Sequence, residues 1–218
     1  MATAPAERAA IYITGRVRQK RNVIGGRKVR HVLAMSLLAV WWPGLAIARI
    51  VVRAEPARLT WSVFREQESA GGALEHARLA AEMSFPQPLR IERTDGSYRL
   101  PGFTITVAPE PSRTVASRAV RGSDALLRHE QGHYDIVLLA ARALARELEP
   151  MTAASTQALT AAVEQCVSKH TRRAERLSEA YDAATDHSHD ADQQQRWLEK
   201  IRAALADAAA TELAGFPL

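Results

Sequence analysis

The sequence predicts an α+β fold in which a small, mostly antiparallel sheet is followed by three long helices. Three observations support this. Residues 58–120 contain short β-prone segments separated by Gly and Pro. Residues 122–210 contain long, alanine-rich segments with apolar residues at helical spacing. The hydrophobic fraction of 47% in 218 residues is enough for one core, so we expect a single domain over residues 49–218.

Residues 1–48 have the pattern of an export signal. Residues 16–30 are basic, an apolar run of eleven residues (VLAMSLLAVWW) follows, and a Pro-Gly break precedes Ala46-Ile47-Ala48. This order is typical of a secretory signal peptide, and the apolar run is shorter than the roughly 20 residues of a membrane-spanning helix. We expect cleavage after Ala48 and an exported protein, periplasmic or extracellular. The alternative is an uncleaved segment that anchors the protein to the inner membrane.

The net charge of +5 comes from this segment. Residues 1–48 hold eight Lys and Arg against one acid, which leaves a net charge of −2 for residues 49–218. Because a nucleic-acid-binding domain is normally basic, we expect no nucleic-acid partner. Cys166 is the one cysteine, which excludes an intrachain disulfide. On a helical segment, a single thiol is more typical of a small core residue than of a nucleophile.

Short segments rich in β-forming residues predict the strands: Leu59–Phe64, Leu89–Arg93, Tyr98–Leu100 and Phe103–Val107. Asp95-Gly96 predicts a hairpin turn between the second and third. The last segment alternates with period two and ends before Pro109. We expect it to be an edge strand to which an extended peptide can pair. Residues 73–83 are ambiguous, since their alanines favour helix while Gly and Pro bracket them.

Three amphipathic segments predict the helices, over about 123–150, 152–182 and 191–213. Ser123 or Asp124 is the expected N-cap of the first helix. The apolar stripe of the second helix ends at Tyr181, and Trp197 is the first inward residue of the third. A polar break, Asp186–Asp190, separates the second helix from the third.

The first helix carries the motif His129-Glu130-Gln131-Gly132-His133. A spacing of four places both imidazoles on one face of the helix, so that they can bind one metal ion. In zinc hydrolases with this motif, the glutamate takes a proton from water and later delivers it to the leaving group. Glycine destabilises a helix interior, so we expect Gly132 to allow another backbone to pack close. The alternative is a pair of histidines on a solvated face.

A catalytic zinc site needs a third protein ligand and an open position. Outside the motif, His and Asp cluster only in Tyr181–His189, which an antiparallel second helix would bring near His133. We expect His187 to be the third ligand, because it follows the helix end and its ring is free to turn inward. Asp182 is expected to orient a ligand or to replace His187, and His189 is a further alternative.

Other polar residues have weaker assignments. Tyr181 or His189 is expected to stabilise an oxyanion. His76 and His170 lie in less suggestive surroundings and are expected to be structural or surface residues.

Taken together, these segments resemble a bacterial family of secreted zinc-dependent proteases long catalogued as a domain of unknown function. The resemblance covers about residues 57–208 and rests on Leu59–Phe64, Leu126–Ile136, Tyr181–His187, Gln195 and Trp197. It implies a zincin-like fold, a Zn²⁺ cofactor and activity on a peptide or protein substrate. It also implies His129 and His133 as ligands and Glu130 as general base, with His187 at the family's later histidine. The glycine that the resemblance implies after that histidine is Ser188 here.

The sequence thus predicts a zinc metallopeptidase in which Glu130 is the general base for attack by water on the peptide bond. Two other functions stay open. A non-catalytic zinc-binding structural or adaptor protein would have its fourth coordination position filled. A zinc hydrolase of a non-peptide amide, such as a cell-wall component, would have a narrow pocket rather than an open groove.

Overall fold

The computed structural model describes residues 49–67, 77–86 and 88–218, which form an α+β fold with several small sheets and three long helices. The helices are α1 (Asp124–Leu148), α2 (Thr156–Thr185) and α3 (Ala191–Ala206). The strands are β1 (Val51–Ala54), β2 (Arg65–Glu66), β3 (Ala77–Arg78), β4 (Ala81–Ser84), β5 (Glu92–Thr94), β6 (Ser97–Arg99), β7 (Thr104–Pro109), β8 (Val115–Ala116), β9 (Thr152–Ala153), β10 (Glu212–Leu213) and β11 (Phe216–Pro217). The predicted signal peptide and His76 lie outside the described residues.

Helix α1 is the central element of the fold. Tyr134 and Leu144 pack in one core cluster with the strands and the first half of α2. Ile136 and Leu139 pack in a second cluster with the end of α2 and with α3. The helix begins as predicted, since the Ser123 side chain accepts a hydrogen bond from the backbone N–H of Leu126. Burial on both faces holds α1 in place from two sides.

The sheet against α1 has the strand order β1-β7-β4, in which β7 is parallel to β1 and antiparallel to β4. The prediction that Phe103–Val107 forms an edge strand is therefore wrong. Its alternation shows that one face is buried, with Ile105 and Val107 inaccessible, but alternation says nothing about neighbours in the plane of the sheet. Within the described residues, β1 and β4 are the edge strands of this sheet. The Tyr134 hydroxyl ties α1 to this sheet by donating to the Val107 carbonyl oxygen at 2.6 Å.

The hairpin prediction is confirmed, because β5 pairs with β6 across Asp95-Gly96. Both turn residues have positive φ, 50° and 81°, as a two-residue type I′ turn requires. Strand β9, between α1 and α2, pairs with β6 and was not predicted. It places the connection between the two helices beside the hairpin.

The predicted strand Leu59–Phe64 is instead a 3-10 turn over Trp61–Val63. The side chains of Thr60 and Ser62 are hydrogen-bonded to each other at 2.7 Å, and short polar side chains that bond locally favour turns over strands. Leu59 and Phe64 at the two ends are buried. The β-prone residues of this segment therefore fill the core without forming a ladder.

Helix α2 is confirmed and runs antiparallel to α1, so its end returns to the level of His133 as predicted. Helix α3 ends at Ala206, seven residues earlier than predicted. The residues beyond it form the β10–β11 hairpin, which buries Leu213 and Leu218. Within the described part of the chain, the helices are too short or too polar to cross a membrane.

Candidate metal centre

Three side chains meet between α1 and α2. His129 and His133 lie one turn apart on α1, as their spacing predicts, and Asp182 approaches them from the last turn of α2. Oδ1 of Asp182 lies 2.8 Å from Nε2 of His133 and 3.0 Å from Nε2 of His129. The two Nε2 atoms are 3.2 Å apart. Three potential ligand atoms therefore converge on one point.

The chemistry of this donor set fits a metal ion. Two imidazoles and a carboxylate are the three protein ligands of several catalytic zinc sites. Atoms bonded tetrahedrally to one zinc at about 2.0–2.1 Å stand about 3.3 Å from one another, close to the separations of 2.8–3.2 Å found here. The side chains of His133 and Asp182 are 16% and 30% exposed, so solvent reaches the group on that side.

The electrostatics keep Asp182 ionised and distinguish the two histidines. Burial tends to raise the pKa of Asp182, but hydrogen bonds from His129 and His133 lower that pKa well below its usual range. Burial lowers the pKa of His129 and outweighs the contribution of Asp182. Burial also tends to lower the pKa of His133, but there the hydrogen bond and charge of Asp182, together with the charge of Glu130, raise it. Asp182 thus contacts two imidazoles whose pKa values are shifted in opposite directions.

Glu130 lies beside this group and is 4% exposed. Its Oε2 accepts a hydrogen bond of 3.0 Å from the backbone N–H of Leu79. Leu79 lies between β3 and β4, so the segment that leads into the edge strand passes directly beside the carboxylate. The charge of Glu130 acts on His133 and on Tyr181, which places it in the same electrostatic environment as the three converging residues.

Gly132 faces the ring of Tyr181. A Cβ atom at position 132 would lie 2.6 Å from Oη and 2.8 Å from Cε1 and Cζ of Tyr181. The expectation that another backbone would pack here is therefore wrong, since the close neighbour is an aromatic side chain. That ring stacks on His129, with centroids 4.7 Å apart and planes inclined by 21°, and it meets His133 edge-on at 5.1 Å.

Tyr181 was predicted as a possible oxyanion stabiliser. The structure buries the residue completely, with its hydroxyl against Gly132 and without a hydrogen-bond partner among the described residues. Burial, followed by the charge of Asp182, raises the pKa of this phenol well above its usual range. Tyr181 therefore packs behind the histidines rather than on the side that solvent reaches.

Helix α2 ends in a left-handed turn next to the site. The Thr185 hydroxyl donates to the Tyr181 carbonyl oxygen at 2.8 Å, and φ is 45° at Asp186, 50° at His187 and 80° at Ser188. Glycine adopts positive φ freely, whereas other residues are strained there. The backbone at position 188 is thus of the kind that suits the glycine implied by the family resemblance, and Ser188 adopts it with some strain.

His187, predicted as the third ligand, is not brought into the converging group. Its Nδ1 lies 3.9 Å from Oδ1 of Asp182, and its side chain is 57% exposed. The physical reason is the left-handed turn, which leaves this ring largely in solvent, whereas Asp182 is still within the helix and points at α1. His189 is also exposed, and its Nδ1 lies 2.7 Å from the Asp186 carbonyl oxygen in its own loop.

A second group of potential ligands, Glu147, Cys166 and His170, lies further along the same two helices. Cys166 and His170 are buried, and Nε2 of His170 lies 2.9 Å from Oε2 of Glu147. Glu147 is also bonded to the Lys169 ammonium, the main reason that its pKa falls to about 2. Burial and then Glu147 raise the pKa of Cys166 to about 12. Because the Glu147 carboxylate is already paired with the Lys169 cation and bonded to His170, we interpret this group as a polar contact between α1 and α2.

Two contacts of the motif were not predicted, and both are with backbone N–H groups distant in the chain. One is the bond from Leu79 to Glu130. In the other, Oε1 of Gln131 accepts a bond of 2.8 Å from Leu59, while its Nε2 donates to Asp135 at 2.7 Å. A backbone donor has no residue signature, so the sequence offers no signal for either contact.

Comparison with known protein families gives one match. The profile of a family described as "Bacterial protein of unknown function (DUF922)" matches residues 93–190, somewhat less than half of the chain. No curated protein and no solved structure matches. The matched stretch contains His129, Glu130, His133 and the Tyr181–His189 segment, while β1, β4 and α3 lie outside it. The chain is thus similar to this bacterial family in the region that carries the converging side chains.

Proposed function

We propose that this protein is an exported zinc metallopeptidase with a zincin-like arrangement, in which His129, His133 and Asp182 hold the zinc ion. The observation that carries the proposal is the convergence of their three ligand atoms within 3.2 Å of one another, next to a buried glutamate. The sequence predicted His187 as the third ligand, with Asp182 as an alternative. The contacts favour Asp182, and His187 lies at the exposed side of the site.

A zinc ion bound here would supply a Lewis acid that lowers the pKa of water to about 7 and polarises a carbonyl group. Glu130 would act as general base towards the attacking water and then carry the proton to the leaving amine. Its bond from the Leu79 N–H holds the carboxylate in place.

The ligand set and its exposure favour catalysis over a purely structural site. Structural zinc sites are usually closed by four protein ligands, whereas three side chains converge here among the residues that the structure describes, and two of the three are partly exposed. Non-haem iron also takes two histidines and one carboxylate. A buried glutamate adjacent to the first histidine is the partner that hydrolysis requires, which is why we propose zinc rather than iron.

The test compares the wild-type chain with Glu130→Gln and with Glu164→Gln, a control that removes an exposed glutamate from α2. Metal analysis should give close to one zinc per chain in all three proteins. Wild type and Glu164→Gln should cleave dye-labelled casein or a quenched-fluorescent peptide library, and Glu130→Gln should be at least about 100-fold slower, the lower range for loss of an acid–base group. Stoichiometric zinc with no cleavage by wild type would favour the adaptor function. Cleavage of cell-wall amides alone would favour the non-peptide hydrolase.

A further inference from the structure

We propose that Tyr181, which packs against Gly132, positions the metal ligands. This inference rests on the proposed zinc site. Tyr181 immediately precedes Asp182 on α2, and its ring contacts both histidines of α1. One buried side chain thus touches two of the three proposed ligands and adjoins the third in sequence. We infer that its position sets the distance between Asp182 and the histidine pair.

The ring of His129 is oriented by Tyr181. A metal-binding histidine usually donates its second ring N–H to a carbonyl or carboxylate, which fixes the orientation of the ring. Nδ1 of His129 is buried and has no hydrogen-bond partner within the described residues. The face of the imidazole instead lies on the face of Tyr181 at 4.7 Å. Stacking on a fixed aromatic ring supplies the orientation that a hydrogen bond supplies elsewhere.

The ring of Tyr181 is itself held in place by its neighbours. Its ring is enclosed by His129, His133 and Trp197, whose centroid lies 5.5 Å away, and the residue is fully buried. On the remaining side it lies against the α1 backbone at Gly132, where a Cβ atom would come within 2.6–2.8 Å of the ring and hydroxyl. Such distances are not tolerated between real atoms, so any larger residue at 132 must move the ring. Because the ring is enclosed, the movement must pass to α2 and to Asp182.

The ring and the hydroxyl of Tyr181 make different contributions. The Tyr181 hydroxyl has no hydrogen-bond partner in the described part of the chain, so the proposed role belongs to the ring. Phenylalanine keeps the stacking surface and should keep the ligand geometry, whereas leucine removes the planar face. Tyr181 is in this sense a positioning residue, because it acts through His129, His133 and Asp182.

The experiment measures zinc affinity by competition with a chromophoric chelator, using the full purified chain stripped of metal. Gly132→Ala and Tyr181→Leu should each weaken zinc binding by about 10–100-fold, the range typical of groups that orient metal ligands. Tyr181→Phe should bind within a few-fold of wild type. The double variant Gly132→Ala with Tyr181→Leu should be no weaker than Tyr181→Leu alone, because removing the ring removes the clash. The absorption spectrum of the cobalt-substituted protein should change in Gly132→Ala and be retained in Tyr181→Phe.

Leu177→Ala is the matched control, since Leu177 lies one turn earlier on α2 in the same core cluster. It should lower the melting temperature yet leave zinc affinity unchanged. Wild-type affinity and an unchanged cobalt spectrum in Gly132→Ala would overturn the inference. If the wild-type protein itself binds no zinc, the proposed function fails. The packing of Tyr181 against Gly132 is then tested on the metal-free protein. In the metal-free protein, Gly132→Ala should lower the melting temperature, whereas alanine in place of glycine in an unobstructed helix raises it. A raised melting temperature would overturn the inference.

Discussion

The assignment of the third ligand can be tested by comparing Asp182→Ala with His187→Ala. Asp182 contributes an oxygen 2.8 Å and 3.0 Å from the two histidine nitrogens, so its removal takes away one of three proposed ligands. Groups that only orient a ligand cost about 10–100-fold in metal affinity. Loss of a ligand should cost more, which means more than about 100-fold, or about 2.7 kcal/mol of binding free energy.

His187→Ala should cost less than about 10-fold, below the lower end of the range for orienting groups. Its ring is 57% exposed, and its Nδ1 lies 3.9 Å from Oδ1 of Asp182, too far for a hydrogen bond. Asp182→Asn provides the isosteric comparison, because it keeps the shape of the side chain and removes the charge. We expect it to weaken zinc binding nearly as much as Asp182→Ala.

The assay is titration of the metal-stripped proteins against a chromophoric chelator, with circular dichroism to show that each variant is folded. The order of affinities should be wild type, then His187→Ala, then the two Asp182 variants. The reverse order, with zinc lost from His187→Ala and retained by Asp182→Ala, would refute the assignment and restore the ligand set expected from the sequence.

Further predictions concern export, acid stability and the contact between α1 and the sheet. Protein recovered outside the cytoplasm should begin at Arg49 or within a few residues of it on N-terminal sequencing, whereas an intact N-terminus on membrane-bound protein would support the anchor. The Lys169 bond keeps the pKa of Glu147 at about 2 in the folded protein, against an ordinary value of 4.5. Its stabilising contribution is therefore complete above pH 4.5 and is lost as the pH falls towards 2. Glu147→Gln should flatten the fall in melting temperature over this window, and identical slopes in the two proteins would count against the pairing. Tyr134→Phe should lower the free energy of unfolding in urea by about 1 kcal/mol, because the hydroxyl's bond to the buried Val107 carbonyl is lost, although that carbonyl keeps its bond from the Glu55 N–H; an unchanged value would mean that the Tyr134 bond adds nothing.

Local signals predicted a large part of this structure. Ser123 marks the start of α1, Asp95-Gly96 marks the hairpin, and the spacing of His129 and His133 places both rings on one face. Each of these features depends on residues within one or two turns of each other. Their geometry follows from the period of the helix or the turn type and requires no knowledge of the rest of the fold.

The features that sequence reasoning missed depend on distant contacts. Phe103–Val107 alternates as an edge strand would, but β1 and β4 arrive from residues far away along the chain and pair with both of its sides. The choice between Asp182 and His187 depends on where α2 ends and on the hand of the turn that follows. One signal was present, since the apolar stripe of α2 runs through Leu177 to Tyr181, and Asp182 follows that stripe directly while still within the helix.

The burial of α1 on both faces has a kinetic consequence. His129 and His133 lie on a helix enclosed by two core clusters, so their amides should exchange with solvent only when the whole domain unfolds. Asp182 lies in the last turn of α2, next to a strained turn, where local opening is easier. Opening of that turn would remove Asp182 from the site and leave His129 and His133 in place. The lifetime of a bound ion would then be governed by fraying at the end of α2, and hydrogen exchange at Asp182–Ser188 should slow when zinc is added.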